Sequence, residues 1–187
     1  TEYKNMTAPV DACAPENWVD YYPAREGVTI EAIVALKDHM VRVEREDALV
    51  RAVVSDYKGG EFTVDFPDPA YVIGVDTGND FDTHTMRVSY QTLANPGVTY
   101  EVDLNTGKKT VLKERKLPNG HDPSEYVVER LNVTAKDGTQ VPVTLLRHKS
   151  VKADGTAPLY QYGYGSYGLN SDPGFDKEAI SMADRGI

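Results

Sequence analysis

The chain has 187 residues, of which 40% are hydrophobic and 26% are charged, with 15 glycines, 11 prolines and a single cysteine. This composition is that of an ordinary globular protein and argues against a fibrous, a disulfide-stapled or a membrane-spanning chain. Twenty Lys and Arg residues against 29 Asp and Glu residues give a formal net charge of −9. We expect no nucleic-acid partner, because such binding depends on neutralising phosphates with Lys and Arg.

The ends of the chain bear on its location and origin. No apolar run approaches the roughly 20 residues that a membrane helix needs, and residues 1–10 lack the basic-then-apolar pattern of a signal peptide. We therefore expect no membrane partner and a cytoplasmic location, with the periplasm as the alternative. The chain opens on Thr1 without an initiator methionine and ends at Ile187, which predicts a processed protein or a piece of a longer one.

Alternating apolar and polar residues predict a series of β-strands over the first 104 residues. Short polar turns and clusters of Gly, Pro, Asn and Asp separate them. The predicted strands are residues 28–36, 39–45, 49–54, 61–66, 71–75, 85–90 and 98–104. Strands about 10 residues apart are typical of a sandwich, a barrel or the blades of a propeller.

The composition changes near Lys113. Residues 113–116 are charged, and residues 117–123 form a connector rich in proline and glycine without an apolar period. We therefore predict a domain boundary between residues 112 and 113. The elements predicted beyond it are strands 126–135 and 140–148 joined at Asp137-Gly138, a short strand 158–162, a glycine-rich turn 163–168 and a helix 175–185.

Several catalytic signatures are missing. The sequence contains no Gly-x-Ser-x-Gly elbow, so Ser166 is not expected to be a nucleophile. The glycines of residues 163–168 approximate a dinucleotide-binding fingerprint, but no βαβ unit follows them. We expect no cofactor and no metal, because the histidines lack a metal-like spacing. They are His39, His84, His121 and His148, of which His39 and His121 are expected to be exposed.

The cluster of tyrosines and glycines at residues 160–168 is the most distinctive feature of the sequence. On residue types alone, one interpretation is a turn with tyrosines packed at the end of a sheet. The other is functional. Glycines on both sides of Tyr164 permit a tight or left-handed backbone that could aim its phenol into a cleft. A phenol placed there can donate a hydrogen bond to a developing oxyanion.

The order and spacing of short motifs add a family resemblance. The motifs are Ser124-Glu125-Tyr126, Glu129-Arg130, Asp137-Gly138, Val141-Pro142-Val143, Ala157-Pro158-Leu159, the run from Tyr162 to Gly168, and Asp184-Arg185-Gly186. They resemble the start of the catalytic domain in the prolyl oligopeptidase family of serine peptidases, most closely its oligopeptidase B (protease II) branch. Upstream, the chain resembles the last blades of that family's β-propeller. The upstream motifs are Glu44-Arg45, Asp68-Pro69-Ala70-Tyr71, Arg87-Val88-Ser89-Tyr90 and Leu112-Lys113.

The resemblance implies a mainly β fold in two parts. Residues 1–112 would be the C-terminal part of a β-propeller, and residues 113–187 the first strands and helix of an α/β-hydrolase domain. Members of the branch cleave short peptides after Arg or Lys, so short basic peptides are the implied substrates. The resemblance places the oxyanion-hole donor on Tyr164 and packing roles on Tyr162 and Tyr167.

Two hypotheses remain open. In the first, the chain is part of a serine oligopeptidase whose Ser-Asp-His triad lies beyond Ile187, so the chain alone is expected to be inactive. In the second, it is a non-catalytic β-rich binding or scaffold module derived from that family. Tyr164 favours the first, since a scaffold needs no oxyanion donor. A partial propeller would also expose sheet edges, through which a homo-oligomer could form.

Overall fold

In a computed structural model, which describes residues 3–187, the chain is mainly β, as the sequence predicts. Its strands are β1 (Asn5–Thr7), β2 (Val19–Tyr22), β3 (Val28–Ala35), β4 (His39–Glu46), β5 (Leu49–Asp56), β6 (Glu61–Thr63), β7 (Val72–Asp76), β8 (Thr85–Gln91), β9 (Val98–Asp103), β10 (Lys109–Glu114), β11 (Tyr126–Thr134) and β12 (Gln140–His148). Three 3₁₀ turns, Pro15–Asn17, Pro123–Glu125 and Ser166–Gly168, and one helix, α1 (Lys177–Ala183), complete these residues.

Strands β3 to β10 form two antiparallel four-stranded meanders, the architecture of propeller blades. The first blade has the strand order β3-β4-β5-β6, and the second has the strands β7 to β10 in sequence order. Within the first blade, Asp47 and Ala48 join β4 to β5 with φ values of 51° and 60°. Positive φ at both residues is the geometry that suits the twist of a two-residue hairpin.

The outer strand of the second blade, β10, was not expected from the sequence. Its residues Lys109–Glu114 are all exposed. Because the strand has no buried face, its sequence lacks the alternation of apolar and polar residues on which the strand predictions depend. The strand pairs with β9 and continues two residues past the predicted boundary at residue 112. The charged residues that were assigned to the connector therefore begin inside the second blade.

The two blades pack face to face through one hydrophobic core. Val41 and Val88 lie at its centre, and both are fully buried. Core residues occupy every second position along a strand, because every second side chain points to the same face of a sheet. Its buried members are Leu36, Val41, Val50, Ala52, Val54, Val64, Ile73, Met86, Val88, Tyr90, Val102 and Leu104.

The opposite face of β4 carries a buried ionic cluster. Glu44 is fully buried and Arg42 is 2% exposed. The Glu44 carboxylate accepts hydrogen bonds from Arg42 Nε at 2.8 Å, from Arg51 Nη2 at 3.1 Å and from the Arg25 guanidinium. The Arg42 guanidinium also lies 3.7 Å from the ring centre of Tyr22 on β2. The segment that precedes the first blade thus covers this face.

The C-terminal part contains a hairpin and a helix. Strands β11 and β12 pair in continuous antiparallel register on either side of Asp137-Gly138, as predicted. Helix α1 lies inside the predicted range 175–185, and the Asp176 carboxylate caps it by accepting a hydrogen bond from the Glu178 N–H at 2.8 Å. A hairpin and one helix do not define a hydrolase sheet, so that assignment of residues 113–187 stays a prediction.

The strand predicted at residues 158–162 is not formed. These residues have no regular secondary structure, and no other strand of residues 3–187 lies beside them to complete a ladder of hydrogen bonds. An apolar run without a neighbouring strand cannot make a sheet.

Among residues 3–187, no helix has the length and apolarity needed to cross a bilayer.

We expect Glu44→Gln to lower the free energy of unfolding by about 3 kcal/mol, because it leaves buried guanidinium groups without their shared carboxylate. Urea unfolding at pH 7 measures the change. Glu26→Gln removes a carboxylate from an exposed residue and serves as the matched control, with an expected change within about 0.5 kcal/mol. A loss below about 1 kcal/mol for Glu44→Gln would contradict the importance of the cluster.

The unmodified chain and the Glu44→Gln variant should also differ in how their stability depends on pH. Burial disfavours the ionised form of Glu44, but the hydrogen bonds from Arg42, Arg25 and Arg51 outweigh it and lower its pKa from the ordinary value of 4.5. A carboxyl with a lower pKa in the folded state stabilises the fold above its unfolded-state pKa and loses that contribution below it. The difference in free energy of unfolding between the unmodified chain and Glu44→Gln should therefore shrink as the pH falls below 4.5.

Candidate active-site segment

Tyr164 lies in a solvent-exposed segment between β12 and α1 that forms no strand. Its side chain is 48% exposed, compared with 73% for Tyr162 and 94% for Tyr167. The interpretation of this cluster as tyrosines packed at a sheet end is therefore wrong for this chain. The packing roles implied for Tyr162 and Tyr167 have no counterpart among the described residues.

The left-handed backbone falls after Tyr164 and not beside it. Gly165 has a φ of −150°, whereas Tyr167 and Gly168 have φ values of 58° and 72° within the 3₁₀ turn. A non-glycine residue in the left-handed region is uncommon and marks a constrained turn. The expectation that the flanking glycines give Tyr164 a left-handed path is corrected: the reversal is made by Tyr167 and Gly168.

Ser171 closes this turn into a loop. Its Oγ accepts a hydrogen bond from the Tyr164 N–H at 2.9 Å and donates one to the Tyr164 carbonyl at 3.2 Å. Both backbone groups of Tyr164 are thus held by one side chain. No group of residues 3–187 hydrogen-bonds the Tyr164 phenol, which leaves the hydroxyl available to an external acceptor. We call residues 164–171 the Tyr164 loop.

The residue that follows the Tyr164 loop ties it to the first blade. The Asp172 carboxylate accepts two hydrogen bonds from Arg45, at 2.7 Å from Nη1 and 3.2 Å from Nη2. The neighbouring turn residue Asp47 lies 3.2 Å from the Arg130 guanidinium on β11, and its carbonyl also accepts a hydrogen bond from Arg130. The tip of the β4–β5 hairpin therefore contacts two separate parts of the C-terminal region.

Sequence reasoning missed these contacts. Arg45 and Asp172 are 127 positions apart, and Ser171 stands in a polar stretch with no recognisable motif. Arg45 and Arg130 appear in the family resemblance only as landmarks without a role. Nothing in the order of residues indicates that these side chains meet, because only the tertiary fold brings them together.

A cleft of about 270 Å³ lies between the connector, the β11–β12 hairpin and α1. Tyr126 lines it and donates a hydrogen bond to Asp184 at 2.5 Å. Burial and this hydrogen bond raise the pKa of Tyr126 to about 12. His121 stacks on Tyr126 with 5.2 Å between ring centres, and its Nε2 lies 2.6 Å from the Ala94 carbonyl of the second blade. Tyr164 is not among the lining residues.

Two of the histidines are more enclosed than the sequence indicates. His39 is 4% exposed because β4 is an interior strand, and His121 is half-buried, so the expectation of exposure was wrong for both. His84 lies with Asp38 and Asp82 in an exposed group whose candidate ligand atoms are within 4.8 Å of one another. The Asp82 carboxylate already pairs with the Lys37 ammonium at 2.7 Å, which makes this group a surface ion-pair cluster.

Comparison with known proteins assigns the fold to a class. The family model described as "Prolyl oligopeptidase, N-terminal beta-propeller domain" matches residues 1–115. The structure of oligopeptidase B from Leishmania major superposes with a TM-score of 0.87 and 28% identity, covering 98% of this chain and 27% of that one. The two four-stranded meanders are therefore blades of a β-propeller of this class.

Curated relatives agree with this assignment. Dipeptidyl aminopeptidase BI of Pseudoxanthomonas mexicana is 37% identical over 100% of this chain, and Protease 2 of Moraxella lacunata is 31% identical over 95% of it. The chain belongs to the prolyl oligopeptidase family, as the sequence motifs predict. It spans about a quarter of the length of these relatives, 26% and 25% respectively.

Proposed function

We propose that this chain is part of a serine oligopeptidase and joins the last two blades of its propeller to the start of its α/β-hydrolase domain. The family match ends at residue 115, directly after β10. The likeness to the Leishmania major structure nevertheless covers 98% of the chain, and so extends across the connector into the hairpin and helix. Both observations support a domain junction close to the predicted boundary at residue 112.

Within this peptidase, Tyr164 is proposed to donate a hydrogen bond to the oxyanion of the tetrahedral intermediate. The observation that carries this role is the combination of a fixed backbone and an unpartnered phenol. Ser171 holds both backbone groups of Tyr164, at 2.9 and 3.2 Å, while the side chain stays exposed. A fixed backbone is one part of the preorganisation that an oxyanion donor needs, because a donor that reorganises during the reaction loses much of its advantage.

We propose short peptides cleaved after Arg or Lys as the substrates. The likeness to Protease 2 and to the oligopeptidase B structure agrees with the branch that the sequence motifs resemble, and the substrate class is the one that this resemblance implies. The formal net charge of −9 also favours the approach of cationic peptides. The triad and the acidic groups that would bind a basic side chain are proposed to lie outside residues 1–187.

A second candidate is an exopeptidase that releases dipeptides from a free N-terminus. The 37% identity to dipeptidyl aminopeptidase BI over 100% of the chain favours it. Both candidates use the same acyl-transfer chemistry and the same oxyanion donor, so they differ only in how the substrate's amino end is recognised.

In the full-length peptidase, Tyr164→Phe should lower kcat by about 10²- to 10³-fold, because it removes one hydrogen bond that strengthens in the transition state. Steady-state hydrolysis of an Arg-based fluorogenic peptide measures the loss. Tyr162→Phe removes the same hydroxyl from a neighbouring exposed tyrosine and should leave kcat within about twofold. Equal kcat values for Tyr164→Phe and the unmodified enzyme would refute the role of Tyr164, whereas a full-length protein without any peptidase activity would favour the non-catalytic module.

A pair of substrates separates the two peptidase candidates. An oligopeptidase that cleaves after Arg should hydrolyse a dipeptide substrate whose second residue is Arg, whether its N-terminus is blocked or free. A dipeptidyl aminopeptidase should need the free ammonium and lose at least about 10²-fold in kcat/KM on the blocked form, since its buried partner for that charge is left unpaired. A strong preference for the free amine would replace the first assignment with the second.

A further inference from the structure

We infer that Arg45, on the first propeller blade, is a positioning residue for Tyr164. Acting through Asp172 and Ser171, it fixes the Tyr164 loop against the blade. The inference rests on the proposed function of Tyr164 and adds to it a requirement for the propeller. In this account the blade takes part in building the oxyanion hole, although none of its residues touches the reacting atoms.

The guanidinium of Arg45 is held in one orientation before it meets the loop. Its Nε donates to the Glu31 carboxylate on β3 at 2.6 Å, and its Nη1 donates to the Ala48 carbonyl at 3.2 Å. The side chain is only 15% exposed. Its remaining donors face Asp172, and the planar guanidinium matches both carboxylate oxygens. A lysine in this position could not reproduce that two-point contact.

The other end of this contact is anchored as well. Pro173 is buried directly after Asp172, and a Cβ on Gly174 would lie 3.4 Å from Val72 Cγ1 of β7. The chain therefore enters the interblade region at residues 172–174. Ser171 is the last residue before this anchor, and its hydroxyl carries the constraint to the backbone of Tyr164.

Within residues 3–187, the loop has few other contacts. Tyr162 and Tyr167, on either side of Tyr164, are 73% and 94% exposed, so apolar burial contributes little there. The position of the Tyr164 phenol consequently depends on the contact of Ser171 with the Tyr164 backbone and on the adjacent Arg45–Asp172 contact. Because a displacement of about 1 Å in a catalytic group can cost up to about 10²-fold in rate, loss of the Arg45 contact should appear in kcat.

The kinetic test uses the full-length peptidase and three substitutions at the contact. Asp172→Asn and Arg45→Ala should each lower kcat about tenfold with KM within about twofold, as expected for a charge-assisted contact that acts on the transition state. Arg45→Lys should recover only part of the loss. Asp20→Asn, which removes the ion pair between Asp20 on β2 and Lys4 just before β1, is the matched control and should leave kcat unchanged.

A double substitution separates positioning from general structural damage. If Arg45 acts through the Tyr164 hydroxyl, Asp172→Asn should lower kcat less than twofold when Tyr164 is already Phe, since contacts within one network are not additive. A tenfold loss that persists in the Tyr164→Phe background would overturn the inference, and so would a normal kcat for Asp172→Asn. A normal kcat for Tyr164→Phe would instead refute the proposed function itself.

Amide hydrogen exchange on the 187-residue chain gives a readout without catalysis. The Tyr164 N–H donates to Ser171, so Ser171→Ala and Asp172→Asn should both speed its exchange severalfold. The Glu129 N–H faces β12 in a hydrogen-bonded pair of the β11–β12 hairpin, so it reports on folding and should exchange as before. Unchanged exchange at Tyr164 in both variants would contradict the tethering of the loop, and faster exchange at Glu129 would contradict a local effect.

Discussion

Strand β4 imposes the constraint on which the rest of the molecule depends, because its two faces bury chemically opposite side chains. Val41 points into the core between the blades, whereas Arg42 and Glu44 point into the ionic cluster beneath the N-terminal segment. A shift of one residue in register would exchange these sets and bury unpaired charges in the core. The direct pairing of Glu44 with Arg51 on β5 reinforces the register that alternation requires.

That register also decides what lies at the end of the strand. Arg45 follows Glu44 on the core face, where it is paired with Val50 across the sheet and reaches Asp172. The hairpin tip next to it contacts Arg130 on β11. Two halves of the chain that meet at a proline-rich connector are thereby joined at a second place. In the proposed peptidase, this contact would give the propeller a part in shaping the segment that carries Tyr164.

The sequence predicts those features that depend on local pattern. Period-two alternation locates most blade strands, and Asp137-Gly138 locates the hairpin between β11 and β12. The pattern fails where the local environment differs from the average. The exposed strand β10 has no apolar face to alternate, and the apolar residues 158–162 lack a strand to pair with. Likewise, the burial of His39 follows from the interior position of β4, and the contact of Arg45 with Asp172 follows from tertiary packing alone.

The most direct test of the account is a crystal structure of the full-length peptidase with a peptide aldehyde or boronic acid bound covalently to its serine. Such an adduct places an oxygen where the oxyanion forms. We expect the Tyr164 phenol within about 3 Å of that oxygen, with the Arg45–Asp172 contact intact. An oxygen bound only by other donors, with the Tyr164 phenol turned toward solvent, would contradict the account.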